Sequence, residues 1–309
     1  MTAFIDRQSA GVYIIAATPF AEDGSLDLDS ADRLVDFYRG CGVNGMTILG
    51  VMGEAPKLTP DESLTLARRM IARAAMPVIV GVSGGGLDPM RRLAHEVMAA
   101  GAAGVMVAPP AGMAPEDRVA GYYAAVCAAL GPDIPVCLQD YPQLTGVRIS
   151  ADTVLSLTAE HPQIVMLKHE DWPGLNKLAA IRARSGEGTD TPRLSILCGN
   201  SALFLVEEMD RGADGAMTGY AYPEMLVQVC AGHAENPERA HDIFDAHLPM
   251  VRYEQQPGIG LAVRKEVLRR RGAIASAALR APAPRLTPKD HDDVTRLMTR
   301  LERRLKEIG

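Results

Sequence analysis

Short runs of apolar residues recur along this chain, and each is followed by a stretch whose hydrophobic side chains have helical spacing. The runs fall at residues 11–20, 46–50, 77–82, 104–109, 134–139, 164–168, 194–198 and 215–218. The first helical stretch starts near Asp29 and the second follows Thr59; the others cover 88–100, 115–130, 150–160, 174–184, 201–211 and 223–233. Strands apolar on both faces must be covered on both faces, and helices between them force parallel pairing. Eight such units in about 225 residues predict an α/β fold, a closed (β/α)8 TIM barrel, with chemistry at the C-terminal ends of the strands. The competing open, doubly wound sheet usually carries a glycine-rich turn after its first strand. Here the first run ends Thr18-Pro19-Phe20, and Gly84-Gly85-Gly86 follows the third.

Local signals agree with this frame. Thr59 and Ser150 are suited to cap the helices that follow them, with Pro60 at a first helical position. Beyond the barrel, taken as residues 1–234, the segment 235–309 reads as helices at 237–250, 259–271 and 288–308 without strands. Ala281-Pro282-Ala283-Pro284 separates the last two. No second core is evident, so these C-terminal helices are expected to pack on the barrel or to form a subunit contact.

Composition removes several function classes. The net charge is -6 and the pI about 5.7, so no basic surface points to nucleic acid or membrane. Arg264 to Arg271 is the most basic stretch; in its helical pattern it reads as a solvated face. The five cysteines are scattered in apolar contexts without a CxxC pair, which suits reduced thiols better than disulfides or a zinc site. Neither a signal peptide nor an apolar stretch of about 18 residues is present, so a cytoplasmic location is expected. No metal-ligand spacing or phosphate loop occurs, and no cofactor is expected.

Of the lysines, only Lys168 ends an apolar strand run, Ile164-Val165-Met166-Leu167-Lys168. There it would point into the barrel mouth, where burial favours the uncharged amine that adds to a ketone. The resulting iminium draws electrons from the neighbouring carbon. A lysine merely solvated, or paired with Glu170 or Asp171, is the equal alternative from the residues alone. Gly50-Val51-Met52-Gly53-Glu54 after the second strand can expose backbone amides to a carboxylate, though a tight turn explains its glycines as well. Gln139 and Tyr141 end the fifth strand; Tyr141 is a candidate acid/base or a rim tyrosine. Gly199, Met217 and Thr218 at the seventh and eighth strand ends are candidate substrate contacts, and His169 should face away from the barrel interior.

With these motifs in order, the chain resembles the dihydrodipicolinate synthase / N-acetylneuraminate lyase family over nearly its whole length. The carriers are Thr18-Pro19-Phe20, the G-x-x-G-E loop, the Pro142-Gln143-Leu144-Thr145-Gly146 stretch and Lys168. The resemblance implies a TIM barrel, a Schiff base on Lys168 with a 2-oxo acid such as pyruvate or a keto-deoxy sugar acid, and a homodimer or homotetramer. Departures are specific. Val51 and Met52 replace the loop's hydroxyl residues, and Gln139 stands where the family has its catalytic tyrosine. Leu144 replaces an arginine of the dihydrodipicolinate synthases, and Ala108-Pro109-Pro110-Ala111 lacks their aromatic pair. An aldolase or dehydratase other than a true dihydrodipicolinate synthase is therefore expected, with a non-catalytic 2-oxo-acid binder as the rival. The apolar Val51, Met52 and Leu144 point to a less polar substrate or to one differently oriented.

Overall fold

The computed structural model describes residues 3–172 and 174–309. Eight parallel strands close into a barrel in sequence order. They are β1 (Gly11–Ile15), β2 (Gly45–Ile48), β3 (Val78–Gly81), β4 (Gly104–Val107), β5 (Val136–Asp140), β6 (Ile164–His169), β7 (Ser195–Cys198) and β8 (Gly215–Ala216). Closure is made by β1 and β8, where Gly11 pairs with Gly215. A side chain at Gly215 would collide with the Gly11 carbonyl, and its φ of 150° suits glycine, so the closing seam of the barrel depends on this residue.

Around the barrel run α1 (Leu28–Gly40), α2 (Pro60–Ala74), α3 (Leu87–Ala99), α4 (Glu116–Leu130), the one-turn α5 (Pro142–Thr145), α6 (Ala151–Glu160), α7 (Leu175–Ala183), α8 (Leu205–Met209) and α9 (Pro223–Gly232). The predicted caps form: Thr59 and Glu62 make a reciprocal capping box on α2, and the Ser150 hydroxyl accepts from the Thr153 amide on α6. β1, β2, β3, β4 and β8 end before their apolar runs do, whereas β5 and β6 extend one residue beyond theirs. The predicted helix at 201–211 is broken. Asn200, Ser201 and Ala202 all have positive φ, and only Leu205–Met209 is α-helical.

The C-terminal helices are α10 (Pro237–Glu254), α11 (Gly260–Arg270) and α12 (Pro288–Ile308). α10 lies against α9, α11 and α12. One expectation is corrected in part here: Arg269 of the basic stretch is exposed, but Arg264, Lys265 and Arg271 do not form a solvated face. Lys265 is fully buried, Arg264 pairs with the buried Glu254, and Arg271 stacks on Phe37 and Tyr222 while pairing with Glu224. Charge counting misses this because carboxylates and aromatic faces from distant segments compensate the cations inside the fold. All five cysteines are free; Cys127, Cys137 and Cys198 are buried, Cys41 and Cys230 partly so. No helix among the described residues is long and apolar enough to cross a membrane.

Candidate active site

In a parallel barrel alternate strand residues enter the interior. Lys168 at the end of β6 does so, with 5% of its surface exposed. Glu170, two residues on, shares that face and is 6% exposed. Lys168 Nζ lies 2.9 Å from Glu170 Oε1. Gln139 aligns with Lys168 across β5 and β6, and its Nε2 donates to the same oxygen at 2.8 Å. The residue in the family tyrosine's place thus orients a carboxylate that touches the candidate nucleophile.

The Glu170 backbone is clamped from both sides. Its amide donates to the Asp140 carbonyl at 2.9 Å, and its carbonyl accepts from Asn200 Nδ2 at 2.8 Å. Gly199 leaves the space that the Glu170 side chain fills, since a Cβ there would overlap Glu170 Cγ. His169 faces outward as expected, with Nδ1 3.0 Å from Glu208 Oε1 in the helical layer. Beside it, Asp140 is buried and paired with Lys177 at 2.5 Å; burial pushes its carboxyl up, opposed by that ammonium.

The loop after β2 is turned by Leu49 and Glu54, both left-handed at φ 55° and 51°. Among the described residues no protein acceptor takes the amides of Val51, Met52 or Gly53. Thr18 Oγ1 holds the Gly53 carbonyl at 2.7 Å. Glu54 anchors the loop to the C-terminal helices: Oε1 accepts from Lys265 at 2.7 Å, and Oε2 from Lys57 at 2.9 Å and the Arg280 amide at 3.1 Å.

A cavity of about 750 Å³ opens over β2–β5. Of the sequence-predicted residues, Gly50, Val51, Gln139 and Tyr141 line it. Lys168 and Glu170 are not among its lining residues; Gln139, which is, links the cavity wall to them through Glu170 Oε1. Met52 and Gly53 of the loop are buried and do not line the cavity, with Met52 Sδ packed over Gly219. Met217 and Thr218 are buried in the barrel wall, where the Met217 amide donates to Cys198 and the Thr218 carbonyl accepts from Ile15; neither lines the cavity. Tyr141 leaves the strand (φ -128°, ψ 72°) to cap α5. Its hydroxyl has no protein partner among the described residues, and burial together with Glu170 pushes its ionisation up.

Glu170 is the group that sequence reasoning treated only as a possible partner of Lys168. The signal was present: two positions past an inward lysine, a residue shares its face.

The chain matches the model of the Dihydrodipicolinate synthetase family over residues 8–302. The crystal structure of dihydrodipicolinate synthase from Rhodopseudomonas palustris superposes with a TM-score of 0.95 at 47% identity, covering 97% of this chain and 100% of that one. L-2-keto-3-deoxyarabonate dehydratase of Azospirillum brasilense is 30% identical across 98% of this chain and 97% of its own. 4-Hydroxy-tetrahydrodipicolinate synthase 2 of Streptomyces coelicolor is 30% identical across 92% of each. The chain belongs to the dihydrodipicolinate synthetase family and is a (β/α)8-barrel lyase of the class I type.

Proposed function

We propose that the enzyme dehydrates a 4-hydroxy-2-oxo acid through a Schiff base on Lys168, with Glu170 moving the protons. The observation that carries this reading is the 2.9 Å contact between Lys168 Nζ and Glu170 Oε1. Nζ gives its extra proton to Glu170 or water and adds to the C2 carbonyl; loss of water leaves an iminium. The substrate carboxylate lies on the free amides of the loop Val51–Gly53. A carboxylate that touches the imine nitrogen also reaches C3. Glu170 takes a C3 proton, the electrons move into the enamine, and the same proton then goes to the C4 hydroxyl as it leaves as water. Hydrolysis of the conjugated iminium frees the unsaturated 2-oxo acid and restores the amine. One carboxylate suffices for both proton transfers, which compensates for the tyrosine replaced by Gln139. The Azospirillum brasilense dehydratase, similar over the whole chain, supports elimination over C–C cleavage.

Leu144 and the Ala108–Ala111 stretch offer no cation or hydroxyl for a second carboxylate, so pyruvate is not expected to condense with aspartate semialdehyde here. Assembly as a homodimer or homotetramer belongs to the same proposal and rests on kinship with a family whose members are often oligomeric. Borohydride trapping with pyruvate, followed by peptide mass spectrometry, should place the adduct on Lys168. Glu170→Gln should still form that adduct while losing roughly 10²–10⁴-fold in turnover of 4-hydroxy-2-oxo acids. An adduct on another lysine, or a Glu170→Gln enzyme within a few fold of the parent, sinks the mechanism.

A further inference from the structure

Resting on the Schiff-base reading above, we propose that the substrate tail beyond C4 is apolar, an aryl or branched alkyl group, and not a polyol. The cavity of about 750 Å³ is far larger than a three-carbon acid needs and falls in the range of sites for medium-sized ligands. Leu49, Val51, Met90, Met106, Pro109 and Leu144 supply much of its wall. Five large hydrophobic residues are exposed among the described residues, and three of them stand on this rim: Val51 at 49%, Leu87 at 39% and Leu144 at 54%. A tail seated here would cover side chains that now face water, which is the favourable direction for an apolar ligand and of no use to a hydrated one.

The cavity's polar side chains lead to the same conclusion, because nearly all already hold a protein partner. Ser83 Oγ accepts from the Ala108 amide at 2.7 Å. Tyr122 donates to the Ala108 carbonyl at 3.3 Å, and Thr145 Oγ1 to the Tyr141 carbonyl at 3.0 Å. Gln139 is committed to Glu170. Lys57 is held by Glu54, Arg280 and Pro282. The Tyr141 hydroxyl alone among these described side chains has no protein partner. The Tyr141 hydroxyl serves one substrate hydroxyl, the group leaving from C4. Further hydroxyls along a sugar chain would exchange water for hydrocarbon without a partner. Gly84, Gly85 and Gly86 line the exposed edge of the cavity, and the Gly86 amide already donates to the Gly84 carbonyl at 3.0 Å.

The test compares two 2-oxo acids that stop at the imine because neither has a leaving group at C4: 2-oxo-4-phenylbutanoate and 5,6-dihydroxy-2-oxohexanoate. The half-saturating concentration for borohydride inactivation is read for each. It should be at least about 10-fold lower for the phenyl acid. Leu144→Ser, at an exposed position that tolerates the change, should raise the phenyl value several-fold and leave the dihydroxy value unchanged. Equal values, a lower value for the dihydroxy acid, or an equal shift of both by Leu144→Ser overturns the proposal. If neither acid labels Lys168, the Schiff-base reading fails instead. Calorimetric binding of the same two acids then still decides the tail preference.

Discussion

Glu54→Gln is expected to be among the more damaging single changes outside the catalytic residues, through Lys265. That ammonium is fully buried and has two partners, Glu54 Oε1 at 2.7 Å and the Ala278 carbonyl at 2.8 Å, with the Phe20 ring 4.6 Å away. Burial lowers its pKa and Glu54 opposes the lowering. Removing one member of a buried pair costs about 3–5 kcal/mol, because the other charge stays desolvated. At about 2 °C per kcal/mol for a domain of this size, the melting temperature should fall by roughly 6–10 °C. Lys265→Met should cost less, since the Glu54 carboxylate keeps Lys57 and the Arg280 amide. The double variant should return to within about 1–2 kcal/mol of the parent, as neutral replacements of buried pairs often do. Without Glu54 the pKa of Lys265 falls further. The unfolded chain then binds more protons than the native one up to pH 10.5, so the stability of Glu54→Gln should rise with pH more steeply than the parent's. Thermal melts of the four proteins, with urea melts at two alkaline pH values for the slope, measure all of this. If Glu54→Gln melts within 2 °C of the parent, or the two losses simply add, the reasoning is wrong.

Gly199→Ala would push the Glu170 side chain off Lys168, so turnover should drop by about 10²-fold while circular dichroism stays native; a parent-like rate would show that the carboxylate's position is unimportant. Tyr141→Phe removes the one unspent hydroxyl on the cavity wall and should cost about 10-fold in kcat, the worth of a single hydrogen bond to the departing C4 oxygen. The Glu254 carboxyl is pushed up to about 7 by its burial, with Arg264 opposing. Its native form therefore holds a proton that the unfolded chain has lost between pH 4.5 and about 7, and stability falls as pH rises through that window, by at most about 3 kcal/mol. Glu254→Gln should flatten this slope in urea melts taken at pH 5 and 7.5, and an unchanged slope would assign it to other groups.

Much of this protein is legible one segment at a time. Buried parallel strands need residues apolar on both faces, and the spacing of those runs fixes eight βα units and hence closure. Thr59 and Ser150 cap the helices that follow them because capping is settled within three residues. The inward aim of Lys168 and the outward aim of His169 follow from the two-residue period of a strand. Only the folded chain decided what those side chains meet. Lys265 and Glu54 are 211 residues apart in sequence yet 2.7 Å apart in space, so a basic stretch that looks solvated contains the buried anchor of the loop after β2. Gly199 gives room to Glu170, which belongs to another strand end, while Met217 and Thr218 are shut into the wall. Periodicity reports which way a residue points; its partner is set by closure of the barrel, which brings together segments whose local patterns carry no mark of one another.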